Sequence, residues 1–233
     1  NLYNTLVDTT LPQALKGTGY QGYVTGGQAL QIQFDQKVID QLPIIIGVVI
    51  GVAFLLIMTA FRSPLLALKA AVLNLFSIAA AYGVVVATFQ FGWGRSILGV
   101  NEDVPIEAYV PMIMFAIVFG LSMDYEVFLL SRVKEAWHRT GDNHLAVAMG
   151  LEETGRVISC AALIMIAVFV SFVTNNQVVI KQLSIGLAAS ILIDATVVRL
   201  LLVPAVMYLF GTRSWWIPRW LDRLLPRIDV EGG

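Results

Sequence analysis

Five ionisable side chains lie inside long apolar stretches of this sequence: Lys69, Asp124, Glu126, Asp194 and Arg199. A charge at the centre of a bilayer costs about 2.5–3.5 kcal/mol even on the lenient insertion scale, so each needs a reason to be there. Asp124 sits about 12 Å of helical rise inward from Arg132, too deep for a short carboxylate to reach water unaided. It has to be neutral, paired or beside a water-filled cavity. A carboxyl held between desolvation and a hydrogen-bonding or cationic partner can load and release a proton. Tyr125 beside it can donate to a carboxylate or accept from a carboxylic acid, and so orient that proton. Phe128, four residues on, shares the face of Asp124, whereas Glu126 lies about 200° around the helix and faces elsewhere. Asp124 and Tyr125 are therefore the expected proton relay, with Phe128, Asp194 and Glu126 as further relay or lining candidates.

The other ionisable groups are read more plainly. Lys69 is close enough to the end of its stretch to snorkel to the surface. Asp194 and Arg199 are five residues apart, about 140° around a straight α-helix, and so are expected to need separate partners. Asp194 could approach Asp124 or anchor its own helix. Asn74 is an ordinary candidate for a hydrogen bond between helices.

The elements that position these groups follow from hydropathy. Of 233 residues, 58% are hydrophobic and 13% charged, and the mean hydropathy is +0.77, far above an ordinary globular chain. Five stretches can cross an apolar layer of about 30 Å, which needs about 20 helical residues. They are Leu42 to Phe61, Leu65 to Phe89, Tyr109 to Leu130, Val157 to Thr174 and Leu183 to Phe210, the last long enough to tilt or break near Pro204. The sequence predicts an all-α integral membrane bundle of five helices over 41–211. It is preceded by a polar segment over 1–40 and followed by an interfacial tail over 212–233.

The segment 1–40 reads as a helix from Leu2 to Leu15, a short strand over Tyr20 to Thr25, and an amphipathic helix that starts at Gly26-Gly27 and runs into the first span. Opening on Asn1 with polar sequence, the chain reads as a fragment. Arg62, Arg132, Lys134, Arg139, Arg156, Arg213, Arg219, Arg223 and Arg227 fall on one side of the bundle, and Lys16, Lys37, Arg95 and Lys181 on the other. Positive charge is retained in the cytoplasm. The expected location is therefore the cell membrane, multi-pass, with the N-terminal segment outside and the C-terminus cytoplasmic. Between Ser131 and Arg156, Asn143 is the expected N-cap of a short helix from His144 to Leu151. In the tail, Trp215, Trp216 and Trp220 interleave with arginines, as suits anchoring in the headgroup layer.

Several functions find no support. The formal net charge is −1, which offers no general attraction to nucleic acid. The single cysteine, Cys160, reads as a small buried hydrophobe. Neither metal-ligand spacing nor a phosphate loop is present, so no cofactor is implied and the chain is not expected to be an enzyme.

The tract from Gly120 to Arg132, with Ser122-Met123-Asp124-Tyr125-Glu126 at its centre, closely resembles the MmpL family of actinobacteria, lipid exporters of the resistance-nodulation-division superfamily. The tract Leu192 to Arg199 leading to Val203-Pro204-Ala205 and the tail Trp215 to Pro226 are similar to the same family. The resemblance implies the C-terminal half of such a transporter, with 1–40 as a short α/β remnant of an extracytoplasmic porter domain. It also implies that Asp124 and Tyr125 meet a second Asp-Tyr pair from the N-terminal half of the same full-length protein, and that Phe128 lines that site. The expected function is proton-motive-force-driven export of lipids or other hydrophobic compounds. The implied partners are protons, the hydrophobic substrate, membrane lipids and the N-terminal half. Two other readings stay open: an intramembrane aspartyl protease using Asp124 and Asp194, and a sterol-sensing-like lipid-binding module that works without proton coupling.

Overall fold

The computed structural model describes residues 2–94, 99, 105–218 and 221–222. Arg95, Arg219, Trp220, Arg223 and Arg227, which enter the expectations on orientation and on the tail, lie outside them. The chain divides into two compact units, Asn1–Pro43 and Ile44–Gly233.

The first unit holds α1 (Leu2–Thr5), a π-helical turn (Leu6–Thr10), α2 (Leu11–Ala14) and the start of α3 (Gly27–Phe61). The expected strand over Tyr20 to Thr25 is not formed, and no strand is present among the described residues. This corrects the α/β reading: the architecture is all-α. Alternating β-formers make a strand only when a ladder partner takes up their backbone groups. Here Tyr20 and Tyr23 are 78% and 79% exposed. The side-chain hydrogen bonds of the segment are local, such as Tyr23 Oη donating to Gln21 Oε1 at 2.7 Å.

The second unit is the helical bundle. Five helices are long and apolar enough to cross a membrane: Gly27–Phe61, Pro64–Phe89, Tyr109–Thr140, Asn143–Thr174 and Val178–Trp215. In order they are α3; α4 (Pro64–Phe89); α5 (Tyr109–Thr140); α6 (Asn143–Ser171) ending in a 3₁₀ turn; and a composite last span. That span comprises α7 (Val178–Ile193), a π-helix (Asp194–Leu202), α8 (Val203–Phe210) and a 3₁₀ turn (Gly211–Trp215). Pro204 has no N–H to offer the carbonyl of Leu200, and its ring crowds that carbonyl. The change of helical register just before it meets the same constraint.

The short helix expected from His144 is not separate but forms the first turns of α6. Its N-cap is Asp142, whose Oδ1 accepts from the backbone N–H of His144 at 2.8 Å and of Leu145 at 3.3 Å. Asn143 is instead buried: its Nδ2 donates to the Met207 carbonyl at 2.9 Å and its Oδ1 accepts from Trp215 Nε1 at 3.0 Å. Trp215 also stacks on Trp137, with ring centroids 6.0 Å apart. It therefore fastens the end of the last span to α5 and α6, while Trp216 is 61% exposed. Cys160 is exposed rather than buried.

Two apolar clusters fill the bundle. One contains Ile57, Phe61, Leu66, Leu73, Leu129, Leu130, Val133 and Val198; the other contains Ile78, Ala81, Val85, Val118, Phe119 and Leu187. Between these clusters, α4, α5 and the last span bury the polar residues Asn74, Ser77, Ser122, Glu126, Ser190 and Asp194.

α5 and α6 approach closely at Gly150. A Cβ built there would stand 2.9 Å from the Val133 backbone N and 3.0 Å from its Cα. Backbone cannot yield as a flexible side chain can, so Gly150→Ala is expected to cost about 1–3 kcal/mol. At Gly155 on the same helix, an added Cβ would meet only Leu200 Cδ2, at 3.9 Å. Gly155→Ala should be neutral or mildly stabilising. Thermal unfolding of the two variants in detergent checks this, and equal midpoints would contradict the close approach.

Candidate functional site: a buried polar layer and the Asp124 face

The polar layer contains Lys69 and Asn74 from α4, Ser122 and Glu126 from α5, and Asp194 and Arg199 from the π-helix, all buried. Ser122 and Glu126 are one turn apart and so project from the same face of α5. Arg199 Nε donates to Asp194 Oδ2 at 2.7 Å. Sequence spacing had set these two on different faces of a straight α-helix. The π-helix, whose hydrogen bonds run from i to i+5, brings residues five apart onto one face. Its presence is the physical reason that they pair.

Ser122 joins the helices. Its Oγ lies 2.7 Å from Asn74 Oδ1 and 2.9 Å from Asp194 Oδ1, and its single hydrogen can serve only one of them at a time. Arg199 Nη2 donates to Ser122 Oγ at 3.0 Å and also to the Ser122 backbone carbonyl. Lys69 does not snorkel. Its Nζ lies 3.9 Å from Glu126 Oε1, and each side chain is 3% exposed. Two cations and two carboxylates thus share the layer, neutral in sum when all are ionised, as burial demands. Lys69 Nζ, Glu126 Oε1 and Arg199 Nη1 have no hydrogen-bond partner among the described residues.

Asp124 does not enter this layer. It is exposed on the bundle surface, as is Phe128 one turn away, while Tyr125 is half-buried and Glu126 is buried. Successive residues of an α-helix turn by about 100°. Asp124, Tyr125 and Glu126 therefore fan from the outer face of α5 into its interior. The Arg199 guanidinium carbon lies 5.3 Å from the centre of the Tyr125 ring, a cation–π distance. The Tyr125 hydroxyl lies 3.7 Å from Met165 Sδ. A cavity of about 10 Å³ is lined by Tyr125, Ser122, Ser190, Asp194 and Arg199 together with apolar side chains. That is about the smallest space that holds one water. Ser190 Oγ is a buried hydroxyl with no partner among the described residues.

Asp194 uses its two oxygens on Ser122 and Arg199, so the structure does not bring it together with Asp124. The roles of Ser122 and Ser190 were not read from the sequence, where a serine in an apolar helix carries little signal. The pairing of Lys69 with Glu126 had one: single charges of opposite sign in neighbouring spans are each other's cheapest partner.

Comparison with known proteins identifies the family of the chain. The family model described as "MMPL family" matches residues 5–227. The chain is 43% identical over 208 residues to the mycolic acid-containing lipids exporter MmpL11 of Mycolicibacterium smegmatis, covering 89% of this chain and 22% of that protein. It is 44% identical over 208 residues to the heme uptake protein MmpL11 of Mycobacterium tuberculosis (H37Rv), covering 89% of this chain and 21% of that protein. To the trehalose monomycolate exporter MmpL3 of Mycolicibacterium smegmatis it is 36% identical over 212 residues, covering 91% and 21%. The chain thus spans about a fifth of the length of these relatives. With a family model matched along nearly its whole length and five helices able to cross a membrane, the chain is a multi-pass membrane protein that belongs to the MMPL family.

Proposed function

We propose that this chain is the membrane part of a proton-motive-force-driven transporter that exports lipids or other hydrophobic compounds, with Asp124 and Tyr125 as its proton relay. The observation that carries the reading is the fan of Asp124, Tyr125 and Glu126 from an exposed helix face into a buried layer of paired charges. A proton on Asp124 removes a charge from that face, and Tyr125 couples the face to Arg199. Protonation then changes the preferred packing of α5 against its neighbours, which is what coupling requires. Asp194 and Glu126 tune the interior side of the relay, and Phe128 screens Asp124 from lipid. The counterpart of Asp124 in this scheme is a second Asp-Tyr pair from the N-terminal half of the full-length protein. The names of the relatives, two lipid exporters and a heme uptake protein, support a hydrophobic cargo.

Export of a fluorescent lipid from sealed vesicles containing the full-length protein should follow an imposed pH gradient and stop when a protonophore collapses it. Transport indifferent to the gradient would sink the proposal and favour a sterol-sensing-like module. The protease alternative needs two carboxylates sharing a proton. It is disfavoured, because Asp194 is already engaged by Arg199 and Ser122.

In the proposed orientation the turn between α5 and α6 is cytoplasmic. Asn143 is buried and unsuited to report this, whereas Arg139 is exposed. With Cys160 first replaced by Ser, Arg139→Cys should resist a membrane-impermeant thiol reagent in intact cells and react after permeabilisation. Labelling in intact cells would reverse the topology.

A further inference from the structure

An apolar groove of about 560 Å³ opens on the bundle where α3 meets α4, lined by Phe54, Pro64, Leu65, Leu68, Trp216 and a single charged residue, Arg213. Phe54 lies seven residues before the end of α3, so the groove extends about 10 Å along the helix from the bundle's end. Leu68 and Trp216 are 54% and 61% exposed.

The position of Arg213 is built by the fold. The backbone turns at Arg62, which has φ of 53°, and Ser63 then caps α4 by accepting from the Leu66 N–H at 3.2 Å. The buried Ser63 hydroxyl donates to the Ser214 carbonyl at 2.6 Å. This bond fixes the 3₁₀ turn that carries Arg213 against the first turn of α4. Arg213 itself is exposed, and no carboxylate pairs with it among the described residues.

We infer that this groove is a binding site for an anionic phospholipid, its acyl chain lying along Phe54, Leu65 and Leu68 and its phosphate on the Arg213 guanidinium. Charge complementarity selects the occupant. A cation at the mouth of an apolar channel, at the level where a membrane-spanning helix ends, meets anionic headgroups and acyl chains together. A guanidinium presents paired N–H donors that match phosphate oxygens. Trp216, with its amphipathic ring, suits the headgroup layer beside it.

The test is native mass spectrometry of the full-length protein released from nanodiscs of equal phosphatidylglycerol and phosphatidylcholine with matched acyl chains. The wild type should retain phosphatidylglycerol about fivefold over phosphatidylcholine, the scale of one arginine near a membrane surface. Arg213→Gln should remove that preference. Leu68→Trp, which fills the groove and keeps the charge, should lower retention of both lipids. Excess inorganic phosphate should displace neither. Equal retention of the two lipids, an unchanged preference in Arg213→Gln, or displacement by phosphate would overturn the assignment. So would absence of bound lipid on the wild type, which would mean that another polypeptide segment covers the groove. None of these readouts depends on proton-driven export, so this site and that function stand or fall separately.

Discussion

Arg199→Met is expected to lower the stability of the bundle by about 3–5 kcal/mol, because it leaves a buried carboxylate without its cation. Arg199 donates to Asp194 at 2.7 Å, reaches both the hydroxyl and the carbonyl of Ser122, and lies over the Tyr125 ring. No other side chain in the layer duplicates those contacts. Removing both charges, as in Asp194→Asn with Arg199→Met, should recover much of the loss, since an uncharged pair no longer carries the desolvation penalty. Thermal or denaturant unfolding in detergent, read by tryptophan fluorescence, measures both. A single variant as stable as wild type, or a double variant no better than the single, would show that the pair is not energetically coupled.

The same contrast bears on what the sequence could tell. The five spans were legible because hydropathy over about 20 residues is a long-range average that single positions do not disturb. Their boundaries were less so. The helix that carries the fourth span begins at Asn143, well before the apolar run that starts at Val157, because Glu152, Glu153 and Arg156 interrupt the apolar run without interrupting the helix.

The pairing of Asp194 with Arg199 was hidden by the assumption of 3.6 residues per turn, and Pro204 was the one local signal that the register could change. Asp142 and Asn143 are adjacent residues of nearly equal capping strength. Which one caps was decided by tertiary contacts of Asn143 with Met207 and Trp215, beyond the reach of local pattern. The strand over Tyr20 to Thr25 failed for the complementary reason, since β-propensity is an expectation about neighbours that the sequence window does not contain. At the candidate site, spacing did separate Glu126 from the face shared by Asp124 and Phe128. It could not say that Glu126 faces Lys69, because that depends on how α4 and α5 pack.

The largest functional effect is expected at Asp124. Asp124→Asn preserves size and hydrogen-bonding capacity but cannot ionise. The residue lies on the exposed face of α5 with no hydrogen-bond or ion-pair partner among the described residues. The substitution should therefore leave folding and membrane insertion close to wild type, in contrast to Arg199→Met. Loss of a positioned proton carrier costs about 10²–10⁴-fold in rate. Tyr125→Phe removes only a hydroxyl that orients the proton, and water can replace part of that role. It should slow transport less than Asp124→Asn.

The most direct test of the proton relay is the rate of gradient-driven lipid export by Asp124→Asn in sealed vesicles, with protein amount matched to wild type and an imposed pH gradient. Proton uptake is followed in parallel with a pH-sensitive dye. The relay predicts that export and proton uptake are lost together, by about 10²-fold or more, in protein that unfolds at the wild-type midpoint. Export at the wild-type rate, with proton uptake intact, would contradict it.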